Sequence, residues 1–175
     1  MRTIWAALKF AGTIALIAEA VPAFGAEQQP PEAQGAATNM ISRPKIVNDA
    51  IALAEQISMA LTQSGYRADF TLESLKHVDR FFEEQVSNGL PRPGGLLSQE
   101  LGARLFALGA YVGEVIRRQN GGEWQGNDSD PQAEINIAVR LNDGTVLWPV
   151  QRVMKRFKNG TEDSIWAYGA TLSRQ

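Results

Sequence analysis

Ile135-Asn136-Ile137-Ala138-Val139-Arg140-Leu141-Asn142-Asp143-Gly144-Thr145-Val146-Leu147-Trp148-Pro149-Val150 is the stretch that separates an all-helical reading of this chain from a mixed one. Ile135, Ile137, Val139 and Leu141 alternate with Asn136, Ala138 and Arg140, the two-residue period of a half-buried strand. Asp143-Gly144 is a strong short turn signal. A two-residue loop there sets Leu141 opposite Val146, Val139 opposite Trp148 and Ile137 opposite Val150, all on one apolar face. Pro149 cannot donate to a ladder, so it marks an edge strand or an outward-facing amide. The expectation is a hairpin over 134–150 with Trp148 in the core, and an α+β fold.

Upstream of the hairpin the period changes to that of a helix. Ser42 is read as an N-cap with Pro44 in the first turn, followed by Ile46, Val47, Ala50, Leu53, Ala54, Ile57 and Leu61 at 3-4 spacing. This helix should end near Ser64-Gly65. Thr71 with Glu73 opens a second helix stacking Leu72, Leu75, Val78, Phe82 and Val86, which Asn88-Gly89 and Pro91 to Gly95 stop. The third runs from about Leu97 to Arg118. It carries a stripe of Leu101, Leu105, Leu108, Val112 and Ile116, and beside it a stripe of Gly102, Gly109 and Gly113. Glycine costs up to about 1 kcal/mol per helix-interior site relative to alanine, so three in line imply a backbone pressed against that face. The alternative is a smooth groove for an extended ligand. Downstream, a short helix over Val150 to Lys158 and a last one from about Thr161 to Leu172 complete a single α+β domain over 42–175. Its N-terminal helices pack on the small antiparallel sheet.

The first residues read as an export signal. Met1-Arg2 is cationic, Ile4 to Ala18 is apolar apart from Lys9, Gly12 and Thr13, and Ala20 to Ala26 is rich in small residues. Residues 1–25 are expected to be a cleavable Sec-type signal peptide, cut after Gly25 or after Ala26. An uncleaved anchor needs about 20 apolar residues, and the clean run Phe10 to Ala18 is about half that. Residues 26–41, rich in Pro, Gln, Gly and Ala, should be a disordered linker. The localisation so implied is periplasmic or secreted, without stable membrane insertion.

Composition removes several chemistries. The 175 residues contain no cysteine, which excludes disulfides, thiolate metal sites, thiol catalysis and lipid acylation of a cysteine. Seventeen basic and nineteen acidic side chains give a net charge of −2, with no long-range pull toward nucleic acid or anionic lipid.

The remaining candidates are few. His77 is the only histidine, so a Ser-His-Asp triad would have to run through it, yet no Gly-x-Ser-x-Gly elbow is present. Asp128, Asp130 and Glu134 gather carboxylates in one loop as calcium requires, without the mid-loop glycine and later bidentate Glu of an EF-hand. Arg152, Lys155 and Arg156 share a helix face and, with Trp124, form the candidate partner-binding set, set against a merely solvated polar face. Glu114 and Glu123 can be posed as a glycosidase acid pair.

Leu108-Gly109-Ala110-Tyr111-Val112-Gly113-Glu114, Gly121-Gly122-Glu123-Trp124, the Asp143-Gly144 hairpin, Trp148-Pro149-Val150 and Val153-Met154-Lys155-Arg156 recur together over Leu101 to Trp166. This arrangement resembles small uncharacterised bacterial proteins of the domain-of-unknown-function type. The resemblance implies an α+β domain with the glycine helix against the hairpin, and brings no catalytic residues with it.

The leading functional expectation is an exported, non-enzymatic protein that binds another envelope or secreted protein, as an inhibitor or immunity factor does. No cofactor is expected. The alternatives are an envelope hydrolase acting through Glu114, Glu123, Asp128 or Asp130, and a calcium-dependent binding module.

Overall fold

A computed structural model describes residues 43–172. The expected signal peptide, the linker and the Ser42 cap lie outside the described residues. Within them the chain is mixed helix and sheet: α1 (Lys45–Gln63), α2 (Leu75–Gln85), β1 (Val86–Ser87), β2 (Leu90–Pro91), α3 (Leu101–Asn120), β3 (Glu123–Gln125), α4 (Ala133–Asn136), β4 (Ala138–Arg140), β5 (Val146–Leu147), α5 (Pro149–Asn159) and α6 (Ile165–Leu172).

Helix α3 is the centre. Every residue from Arg104 to Ile116 is buried, so this helix is enclosed on all sides by its neighbours. Helix α1 lies against it through Ile46, Val47, Ala50, Ala54, Ile57 and Leu61, the predicted apolar face. It ends in a Schellman motif: the Tyr66 amide donates to Leu61 O and the Gly65 amide to Thr62 O, with Gly65 at φ +88°. Helix α5 crosses α3 at two of the three glycines. A Cβ on Gly109 would stand 2.6 Å from Val150 Cα, and one on Gly113 would stand 2.7 Å from Trp124 Cζ2 and 2.8 Å from Pro149 Cγ. A backbone pressed on the glycine stripe is therefore found at Gly109, while Gly113 makes room for the Trp124 and Pro149 side chains. Gly102 has no atom within 4 Å of its would-be Cβ and takes no part.

Helix α2 begins later than expected, after a 3-10 turn over Leu72–Ser74, and packs on α6. Asp79 joins the two. Its carboxylate accepts from the Ile165 and Trp166 amides, the Ser164 hydroxyl and Arg156 Nε. The acid on one helix thus serves as the N-cap of another. Asn88 and Gly89, at φ +51° and +69°, close β1 and β2 into a small hairpin where the sequence reading saw only a helix stop.

The second sheet, in the order β3-β4-β5, corrects the hairpin expectation in three ways. First, it has a third strand: Gly121 and Gly122, at φ +70° and +124°, turn the chain back from α3 so that Trp124 pairs with Val139 and Gln125 with Ala138. Second, 134–150 is not strand throughout. Ala133–Asn136 is a helical turn and Pro149 opens α5, where a missing N–H costs nothing.

Third, the register is shifted by one residue. Val139 pairs with Leu147 and Arg140 with Val146. The cause is the loop, which has three residues and not two. The Leu141 amide donates to Thr145 O at 2.8 Å and the Gly144 amide to Leu141 O at 3.0 Å. A two-residue type I′ turn needs Asp143 in the left-handed region, but only Gly144 is there, at φ +89°. Asp143 instead accepts the Thr145 amide through Oδ1 at 2.8 Å. Because side chains alternate, one step of register exchanges the faces. Leu147 enters the core and Trp148, expected there, is 46% exposed.

Candidate functional site

The two faces of the β3-β4-β5 sheet differ in kind. Trp124, Val139 and Leu147 point inward and are buried. Gln125, Ala138 and Val146 occupy the outer face, and continuing the β4–β5 register sets Trp148 beside Ala138. The loop from Gly126 to Gln132, continued by α4, passes over this outer face.

That loop is held firmly. A Cβ on Gly126 would meet Ile46 Cγ2 at 2.7 Å, so only glycine lets the chain lie this close to α1. Asp128 accepts the Lys45 amide at 2.7 Å and the Ile46 amide at 2.8 Å, capping α1 from outside its own sequence. Those two backbone bonds hold its carboxyl below the ordinary range. Asp130 accepts Asn136 Nδ2 and the Gln132 amide, both at 2.8 Å, and these two bonds, the Asn136 one foremost, hold its carboxyl low. Gln151 Nε2 on α5 reaches Ile135 O.

A cleft lies on each side of the loop. One, of about 500 Å³, runs against α1 and is lined by Lys45, Asp49, Phe106, Asp128, Glu134 and Ile135 among others. The other, of about 320 Å³, lies over the outer sheet face and is lined by Gln125, Asn127, Asp130, Asn136, Ala138 and Trp148 among others. A third, of about 360 Å³, separates the β1–β2 turn from the end of α5.

The residues singled out in the sequence fall as follows. Asp128, Asp130 and Glu134 border the same cleft, but two of the three carboxylates already serve the loop and α1. No group of three or more His, Asp or Glu side chains among the described residues is placed to hold a metal ion. Of the candidate partner-binding set, Lys155 alone is exposed. Arg152 donates to Ser164 O, pairs with Asp163 at 2.9 Å and lies over the Tyr168 ring. Arg156 is buried and pairs with Asp79 at 2.7 Å and Glu83 at 3.3 Å, so the predicted polar face of α5 is partly interior. Trp124 is also buried.

Glu114 is the most engaged acid. It is 2% exposed and accepts from Arg117 Nε and Nη2, Arg118 Nε and Trp124 Nε1 at 2.7 to 3.0 Å. Burial alone would raise its pKa, but these donors overcome it and bring the carboxyl down to about 2. A general acid near neutrality needs the opposite shift. Glu123 is exposed at the start of β3, paired across the ladder with Arg140. His77 Nδ1 is shielded and has no hydrogen-bond partner among the described residues, so no serine or acid orients it as a triad requires.

What sequence reasoning missed is the outer face itself. The hairpin spacing places Trp148 in the core, and nothing in the sequence brings Gln125, Asn127 and Asn136 to its side. Asn142-Asp143-Gly144 is the signal that was available, since it reads equally as a three-residue loop with glycine at its left-handed position.

Comparison with known proteins adds no identity: no family model matches the chain, and no relative and no solved structure matches it either. No helix among the described residues is long and apolar enough to cross a membrane.

Proposed function

We propose that this protein is an exported, non-enzymatic binding protein that recognises its partner through the outer face of the β3-β4-β5 sheet and the loop above it. One observation carries this reading. Glu114, Asp128 and Asp130 are engaged in bonds that hold the fold, whereas a large aromatic, Trp148, stands exposed over a cleft whose walls are pinned. A rigid aromatic beside preset polar groups is the usual makeup of a recognition site. The lowered carboxyl pKa values weigh against acid catalysis by these groups. Export follows from the N-terminal sequence, and the partner expected from it is another component of the envelope or a secreted protein.

The test uses the full chain, immobilised and exposed to an envelope fraction. Wild type should retain a component that Trp148→Ala loses while its thermal melt is unchanged. Equal retention by both, or turnover of envelope material by the wild type, would overturn the reading.

A further inference from the structure

We infer that the cleft beneath Trp148 is a subsite for a neutral saccharide, seating one pyranose ring of a glycan. This rests on the reading of the outer face as a binding site and names what that face takes.

The floor is Ala138, a small residue buried between two larger ones, with Trp148 on the β5 side and Gln125 on the β3 side. The small Ala138 side chain leaves room in the cleft, a slot that Trp148 and Gln125 also line. The slot's 320 Å³ is at the lower end of small-ligand sites, which run from about 300 to 1,000 Å³.

Its polar groups are amides with unused capacity. The Gln125 side chain makes no hydrogen bond among the described residues. Asn127 uses Oδ1 to accept the Ser129 amide, leaving Nδ2 as a donor. Asn136 uses Nδ2 to donate to Asp130, leaving Oδ1 as an acceptor. The slot therefore offers both donors and acceptors around an aromatic wall.

A sugar ring has that pattern: an apolar face of C–H groups that lies on an indole, and a rim of hydroxyls that both donate and accept. Other ligand classes match less well. No lysine or arginine lines the slot, so a phosphate or carboxylate finds no counter-charge. The charged lining group, Asp130, already accepts the Gln132 amide on one oxygen and Asn136 Nδ2 on the other. An apolar protein side chain would leave the amides unpaired, at a desolvation cost.

The experiment is a titration of the full chain with β-linked N-acetylglucosamine, glucose and α-linked glucose tetrasaccharides, read by side-chain amide and indole NMR shifts. At least one should move the Trp148 indole together with the Gln125 and Asn136 side-chain amides. Trp148→Ala should weaken that binding about tenfold, equivalent to about 1.4 kcal/mol. Gln125→Ala, at an exposed position, should weaken it with an unchanged melt and so guards against a folding defect. Shifts confined to other residues, or no shift with any of the three, overturn the saccharide assignment. If in that case Trp148→Ala still loses a protein from the envelope fraction, the occupant is protein and the binding reading survives. If nothing is lost, both fall.

Discussion

Trp124 and Trp148 sit on opposite faces of one three-stranded sheet. Trp124 lies against Gly113 of α3, with its indole N–H on Glu114 at 3.0 Å, and Glu114 in turn gathers two arginines. Trp148 is exposed over a cleft edged by amides with open hydrogen-bond positions. The contrast separates two uses of one residue type. Where every polar group around a tryptophan is satisfied and no space is left, the residue holds the fold; where polar capacity and space remain, it is available to a ligand.

The comparison can be broken most severely at Glu114. Glu114→Ala leaves Arg117, Arg118 and the Trp124 indole without their common acceptor, and should cost about 3 kcal/mol in chemical denaturation. An unchanged denaturation midpoint would mean the inner face is not held as described. Next is Gly113→Ala, whose new methyl must displace Trp124 and Pro149; the overpacking should outweigh the gain in helix propensity by roughly 2 kcal/mol. Gly102→Ala is its control, expected to be neutral or slightly stabilising because its Cβ meets nothing.

Acid should also loosen the inner face. The Glu114 carboxyl is held at about 2 against an ordinary 4.5, so the stability it contributes is complete above 4.5 and is lost as pH falls toward 2. Asp69, although burial opposes it, is also held at about 2 by Thr71 and Arg67. Melting temperature should fall across that interval, and Glu114→Gln should flatten the fall without abolishing it. On the outer face, Asp128→Ala should speed hydrogen exchange of the Lys45 and Ile46 amides while leaving α3 amides protected. Trp148→Ala should destabilise by less than about 1 kcal/mol in chemical denaturation, because the side chain is half exposed.

The sequence was legible wherever a long period decided the matter. The buried face of α1 and the tight packing at Gly109 and Gly113 follow from spacing over many residues, and the end of α1 from Gly65. It was not legible where a tertiary partner or a single residue of register decides. Asp128 and Asp130 look like calcium ligands in a linear reading, because the α1 amides and Asn136 that occupy them are far away or out of view. Arg156 looks solvated because Asp79 is 77 residues distant. Trp148 reads as a core residue because Asp143-Gly144 fits a two-residue loop as well as the three-residue one that forms, and one residue of loop reverses the faces of β5.

The three-residue loop Asn142-Asp143-Gly144 has a consequence for how this sheet can change over generations. A strand's two faces are a matter of odd and even, so the loop length acts as a parity setting for everything after it. Loss of one loop residue with β5 otherwise kept would turn Leu147 outward and Trp148 inward, against a core already filled by Trp124. Substitutions in the loop are tolerable so long as a residue at Gly144 can hold a left-handed backbone, but insertions and deletions should be tolerated only in pairs.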